Sequence, residues 1–172
     1  TELDLGLISG GGTKNTVGGT FQFGNGSTSA GSVFNISSGI TIDKITSVAN
    51  ADLQLNADVL INQLALNSNS TINLNGNSLR LSASATGTYT FPIDNGSGVS
   101  IPVSVTFTSG TFAGGAYIEL ETFSSKHFFN ESDINYLNRY WKINTNGITS
   151  PVYNVTATYA NADIAGTESG IA

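Results

Sequence analysis

His127 is the one histidine in 172 residues, and it stands in Lys126-His127-Phe128-Phe129, beside aromatics. Imidazole serves as a general base or metal ligand near neutral pH. A metal site needs several converging ligands, and the chain has no cysteine to join this histidine. His127 is therefore read as a loop histidine with a satisfied hydrogen bond. The lack of cysteine also excludes a thiolate nucleophile and a disulfide framework. Serine is abundant, at 21 residues, but no Gly-x-Ser-x-Gly turn positions one as a nucleophile. The carboxylates are the next candidates. Asp52 and Asp58 flank one apolar segment and Asp43 precedes it. Glycosidase chemistry needs two carboxyl groups about 5–10 Å apart in a cleft. A lyase needs Lys or Arg with calcium, and only Lys14, Lys44 and Arg80 are basic before residue 86. Corner aspartates that keep the surface hydrated are the preferred reading. No Asp-x-Asp-x-Asp-Gly loop occurs, which excludes an EF-hand-like site. No cofactor is expected; an isolated Ca2+ held by Asp and backbone carbonyls is kept as a minor alternative.

The elements that must position these groups are strands. Asn, Thr, Ser and Gly number 19, 20, 21 and 20, and only 10% of the chain is charged. Solvated helices need more charge than that, whereas short strands with Gly, Asn and Ser turns suit the composition. Six basic residues against twelve acidic ones give a net charge of −6 and no phosphate-tracking patch, so nucleic acid is not an expected partner. No apolar run approaches the roughly 20 residues of a membrane span, so no membrane insertion is expected. Methionine is absent even at position 1, where Thr1 stands. The chain is expected to follow a removed leader or to come from a longer protein. An acidic, sulfur-free, Asn/Ser/Thr/Gly-rich chain points to an extracellular, cell-surface bacterial protein.

The texture divides near residue 85. From Val33 to Leu81 apolar residues come as period-2 doublets: Ile40/Ile42, Leu53/Leu55, Val59/Ile61, Leu64/Leu66, Ile72/Leu74 and Leu79/Leu81. They read as short strands with one buried face, too closely spaced for a sandwich, and match the rungs of a right-handed parallel β-helix over 20–85. Asn62, Asn67, Asn69, Asn73, Asn75 and Asn77 suit its corners, because Asn tolerates the left-handed conformation and forms ladders. Over 86–172 the strands lengthen: 88–93, 101–108, 116–123, 138–144 and 152–159, with a possible sixth in 164–171. Asp94-Asn95-Gly96, Ser109-Gly110, Gly114-Gly115, Asn146-Gly147 and Ser150-Pro151 read as the linkers. Five or six such strands predict an Ig-like antiparallel β-sandwich missing a final strand. A helical turn is expected within 130–137, capped by Asn130 or Ser132. Residues 1–19 hold an alternating strand, Leu3-Asp4-Leu5-Gly6-Leu7, and a Gly-rich linker. That strand has no evident mate, so Leu3, Leu5 and Leu7 are the expected subunit contact.

The run LQLNADVLINQLALNSNSTINLNGNSLRL (53–81), followed by GTYTFPIDNG, SVTFTSGTFAGGAYIEL and LNRYWKI, resembles modules of very large surface adhesin-like proteins of Bacteroidetes. The most specific parts are Phe91-Pro92-Ile93 and Asn138-Arg139-Tyr140-Trp141; Asp94 stands where the usual pattern has Gly. The resemblance covers about residues 20–170. It implies a β-helix running into an Ig-like domain, cargo of the type IX secretion system, and no catalytic residues.

Trp141 shares a strand face with Arg139 and Ile143, opposite Tyr140 and Lys142. Trp141 is read as the sandwich-core tryptophan. Arg139 is expected to reach Glu119, Glu121 or Asp133. With Pro92, Asn75 and Asn77 these are the expected structural residues. The function expected is a non-enzymatic structural or adhesive module that meets neighbouring copies or modules of the same protein head to tail. The alternatives are a module binding surface glycans or a host protein through loops 94–100 or 124–137, and a carbohydrate-active β-helix.

Overall fold

The computed structural model describes residues 19–24, 27–29, 32–36, 41–48 and 51–171. Leu3, Leu5 and Leu7 lie outside the described residues, as does most of the expected N-terminal segment. The described chain is almost entirely β.

The first strands are β1 (Thr20–Phe23), β2 (Ser32–Ile36), β3 (Thr41–Ser47), β4 (Ala51–Leu55), β5 (Val59–Ala65), β6 (Ile72–Asn73) and β7 (Leu79–Ser82). Odd-numbered strands pair side by side in one sheet and even-numbered strands in another, all in parallel. The chain thus alternates between two sheets and returns to each after one circuit. The register lays Ile42 on Ile61 and Ile61 on Leu81; in the other sheet Phe34 lies on Leu53 and Leu53 on Ile72. Successive circuits therefore place apolar residues on apolar residues. Leu53, Leu55, Val59, Ile61, Ile72 and Leu79 are all essentially inaccessible to solvent, and burial of each such side chain contributes about 1.5–3 kcal/mol.

Within β3 the period-2 pattern breaks in a useful way. Ile42 and Ile45 are both buried although three residues apart. The β3–β5 register pairs residues on either side of Asp43 and Asn62 but not those two. There Asn62 Nδ2 donates to Asp43 Oδ1 (3.2 Å), and Asn62 Oδ1 accepts from Ser82 Oγ (2.6 Å). A polar ladder thus marks the bend.

After β7 the architecture changes. β8 (Gly87–Phe91) leads into Ile93, which bridges in parallel to Ile72. Two long strands follow, β9 (Val103–Phe123) and β11 (Tyr140–Ala157), with β10 (Tyr136–Leu137) between them and the two-residue β12 (Ile164–Ala165) after. β9 pairs antiparallel with β8 through 103–107 and with β7 through 117–120. β11 pairs antiparallel along β9 and ends the seven-stranded sheet, whose path runs β1-β3-β5-β7-β9-β11. This topology supports the all-β class of 86–172 but does not bear out a separate sandwich there. Of the strands expected there, 101–108 and 116–123 both fall in β9 and 138–144 and 152–159 both in β11, the two pairing as a ribbon, while 88–93 stands as the separate β8. β8, β9 and β11 all belong to the sheet of β1, β3, β5 and β7.

The reason lies in the presumed linkers. Gly110, Gly115 and Gly147 adopt positive φ, as does Ser150 before Pro151. Register shifts fall at 146/148 and between 149 and 153. These residues bend and bulge continuous strands instead of ending them. Pro151, which cannot donate a ladder hydrogen bond, is tolerated because β11 is an edge strand. The helical turn expected in 130–137 is corrected. Asn130 Oδ1 accepts from the Ser132 amide and Ser132 Oγ from the Asn135 amide (3.0 and 3.1 Å), but the chain goes on into β10, which pairs with β12. One buried cluster runs from Phe23 to Leu120.

Asn75 has φ +48 and precedes Gly76 at +78 in the 73–77 turn. Asn77 anchors that turn: its Nδ2 lies 3.0 Å from the Leu55 carbonyl one circuit earlier, and 3.3 and 3.2 Å from those of Leu74 and Asn75. Asn77→Ala leaves these carbonyls without that donor and should lower stability by about 1–2 kcal/mol. Exposed Asn69 should tolerate alanine within about 0.5 kcal/mol. Urea titration should show a lower midpoint at unchanged slope for Asn77→Ala only; equal midpoints for both variants would contradict the anchoring role.

Candidate functional site

The groups with chemical potential fall in four places: the corners of the circuits, the outer face of the larger sheet, the loop between β9 and β11, and the edge strand β11.

At the corners, each aspartate noted in the sequence meets a residue one circuit away. Asp52 Oδ1 accepts the Thr71 amide at 2.8 Å, and the Thr71 hydroxyl lies 2.8 Å from Asp94 Oδ2 in the next circuit. Asp94 is buried and also accepts the Gly96 amide (2.7 Å). Asp58 Oδ1 accepts the Ser78 amide (2.9 Å), and its other oxygen lies 3.3 Å from Arg80. Asn75 Nδ2 donates to Asn56 Oδ1 (3.1 Å), and the Asn67 amide to Ser47 Oγ (2.8 Å). Pro92, at the turn from β8 to Ile93, supplies the carbonyl that accepts the Ile72 amide (2.9 Å). Asp94 is the participant that sequence reasoning missed; its cue is the Asp-Asn-Gly turn at a corner position. A shallow polar recess lies between the 73–76 and 94–96 turns, with Thr122, Ser124 and Arg139 on its wall.

On the outer face of the larger sheet, Arg80 joins the parallel strands to the ribbon. Its guanidinium bonds Glu119 of β9 at 2.5 Å as well as Asp58, and Asn144 of β11 donates to Glu119 at 3.1 Å. Burial pushes the Glu119 carboxyl upward, but the hydrogen bonds from Arg80 and Asn144 outweigh it and hold the group below its ordinary value. The Ser78 amide does the same for Asp58, helped by Arg80. Arg139 does not reach Glu119, Glu121 or Asp133. It is buried against Asp163, Nε to Oδ2 2.8 Å, and Asp163 also accepts the Ala160 amide at 3.1 Å. Asp163 comes close because β12 folds back on β10 and the Asn138 amide bonds the Asp163 carbonyl. Trp141, opposite Thr122 in the ribbon register, packs half-buried against the common core, with its Nε1 buried and unbonded.

The loop 124–135 carries exposed rings. Phe123 and Tyr140, paired in the ribbon, stack at 4.6 Å, and His127 meets Tyr140 edge-on at 4.8 Å. Phe128 stacks on His127 (4.6 Å) and touches Phe129 (4.1 Å). Phe128, Phe129 and Ile134 are each about three-quarters exposed. His127 Nδ1 accepts the Phe129 amide (3.3 Å), which fixes the loop.

β11 presents the fourth feature. Tyr153, Val155 and Ala157 oppose Phe107, Val105 and Val103, so they lie on the core face of the sheet. Tyr153 contacts Phe107, itself buried among Tyr89 and Phe112. Yet Tyr153 and Val155 are 44% and 43% exposed, because the described core ends there.

The folded carboxyls of Glu119 and Asp58 lie below their unfolded values of 4.5 and 3.8. Their stabilisation is complete above those values and is lost as pH falls below them and through the lower folded values. Glu119→Gln should therefore lower the melting temperature most at pH 7, with the gap to the unaltered chain narrowing as the pH falls below 4.5. A gap that widens on acidification would show that Arg80 does not hold Glu119 ionised.

No known protein family, no curated protein and no solved structure matches this chain, so its functional reading stands on these residues.

Proposed function

We propose that this chain is a non-catalytic, extracellular structural and adhesive module of a bacterial surface protein or filament. In this reading residues 20–93 form a short parallel β-helix, the ribbon closes its last circuit, and modules meet end to end. One observation carries it: the corner side chains able to do chemistry are bonded to partners one circuit away, as in Asp52–Thr71–Asp94, Asp58–Ser78 and Asp43–Asn62–Ser82. A carboxylate held by backbone amides and hydroxyls is stabilised where it is and is poorly placed to exchange a proton with a substrate. The same ladders, stacked over apolar rows, resist extension because pulling one circuit breaks several hydrogen bonds and uncovers buried side chains together. Few charges and tight Asn/Gly corners also suit an exposed, protease-rich setting.

Incubated with neutral and acidic polysaccharides, the chain should release no new reducing ends. Turnover that Asp52→Asn or Asp94→Asn abolishes would replace the structural reading with a carbohydrate-active one.

The exposed rings of Phe128 and Phe129 favour a second reading, a loop that binds a surface glycan or host protein. Aromatic faces beside polar Asn130 and Glu131 suit such contacts. On a glycan array or a host-cell surface, Phe128→Ala/Phe129→Ala should reduce retention at least tenfold. Equal retention of the double variant would remove the loop from the adhesive surface.

A further inference from the structure

The outer edge of β11 has the properties of an unfinished sheet. Among the described residues β11 pairs only with β9, so alternate backbone N–H and C=O groups along its other side lack a ladder partner. Native edges of this kind are usually blunted by lysines, inward charges, bulges or proline. Lys142 and the Ser150-Pro151 bulge blunt the first part, but no charged residue occurs from Ile143 to Ala162. Beyond the bulge, residues 152–157 form an uncharged β segment, Val-Tyr-Asn-Val-Thr-Ala, with Tyr153 and Val155 half-uncovered on the core face. The nearer half of β11 is different: the Arg139–Asp163 pair and the 160–165 segment lie beside it, and Lys142 pairs with Glu121 on its outer face.

We propose that residues 152–157 of β11 are the acceptor for a strand from a second copy of this chain, and that the strand is Leu3–Leu7. This rests on the end-to-end reading above and names the surfaces that meet. Leu3, Leu5 and Leu7 alternate with Asp4 and Gly6, so a strand made of them has one apolar face of three leucines. Laid beside β11, that face continues the row of Tyr153, Val155 and Ala157, and cross-strand pairing brings the side chains within about 5 Å. Asp4 then points to solvent. Residues 8–19, five of them glycine, separate Leu7 from β1, a length of chain that can span at most about 40 Å. β1 and β11 are the opposite edges of one sheet, about 24 Å apart at the usual strand spacing. That length of chain would have to run back across the whole sheet to reach its own β11. A neighbour stacked with its β11 end towards β1 brings the acceptor to the edge at which β1 begins, and repetition of that contact is head-to-tail and open-ended.

The test is light scattering of the full 172-residue chain over a range of concentrations, with two single variants and their mixture. The unaltered chain should form concentration-dependent oligomers. Val155→Lys, which places a charge on the acceptor row, and Leu5→Asp, which spoils the donor face, should each be monomeric while melting cooperatively. Tyr153→Lys is the second acceptor variant should Val155→Lys not fold. Mixed, Leu5→Asp keeps a good acceptor and Val155→Lys a good donor, so a one-to-one heterodimer should form. A chain that stays monomeric at every concentration overturns the proposal, and so does a mixture that stays monomeric. Oligomers of Val155→Lys and Tyr153→Lys equal to the unaltered chain would exclude this acceptor, and oligomers of Leu5→Asp would exclude this donor. Neither result bears on polysaccharide turnover, which tests the modular reading separately.

Discussion

The parallel register that sets Ile42 on Ile61 and Ile61 on Leu81 is the constraint on which the other features of the structure depend. Once inward residues of successive circuits coincide, the corners coincide too, and a polar side chain at one corner finds its partner at the next. Asp43, Asn62 and Ser82 line up because the isoleucines and leucines beside them do. A slip of one residue would turn every inner side chain outward and separate every corner pair. Apolar rows and polar ladders therefore enforce each other, and a chain with little charge can specify a single arrangement.

A stack of parallel circuits leaves its last strands with an unpaired edge, and the ribbon is the response to that problem. β9 runs antiparallel beside β7 with one half and beside β8 with the other, so a single strand follows the end of the last circuit from one side to the other. Its 21 residues must bend to do so, which is why Gly110 and Gly115 fall inside it with positive φ. Arg80 ties the junction on the outer face by engaging Asp58 from the parallel part and Glu119 from the ribbon. The ribbon moves the edge problem outward to β11 and does not abolish it.

Charge is used sparingly and mostly to join elements distant in sequence. The Arg139–Asp163 pair is buried, and removing one partner of such a pair typically costs about 3–5 kcal/mol because the other charge is stranded. It fixes the return of 158–165 onto β10. The exposed rings of Phe128 and Phe129 project from the far end of the ribbon, carried by the stacked Phe123–Tyr140 pair.

The sequence by itself determined the all-β character, the short apolar doublets with one inner face, and the Asn-Gly corner at 75–76, because these follow from side-chain alternation and local backbone preference. It singled out Asn77, Trp141 and Arg139 by residue type and position, but not the partners that Asn77 and Arg139 take. Only the tertiary structure decided what the later turn signals meant. Gly110, Gly115, Gly147 and Pro151 look locally like ends of strands, but a neighbour in register keeps the ladder going and turns them into bends and bulges. Likewise Arg139 took Asp163 in preference to the acids nearer in sequence, since β12 brings it alongside. The exposure of Phe128, Phe129, Tyr153 and Val155 was equally unreadable from their types, because large apolar residues are expected inside. Burial depends on what lies opposite, and that is a property of pairings many residues apart.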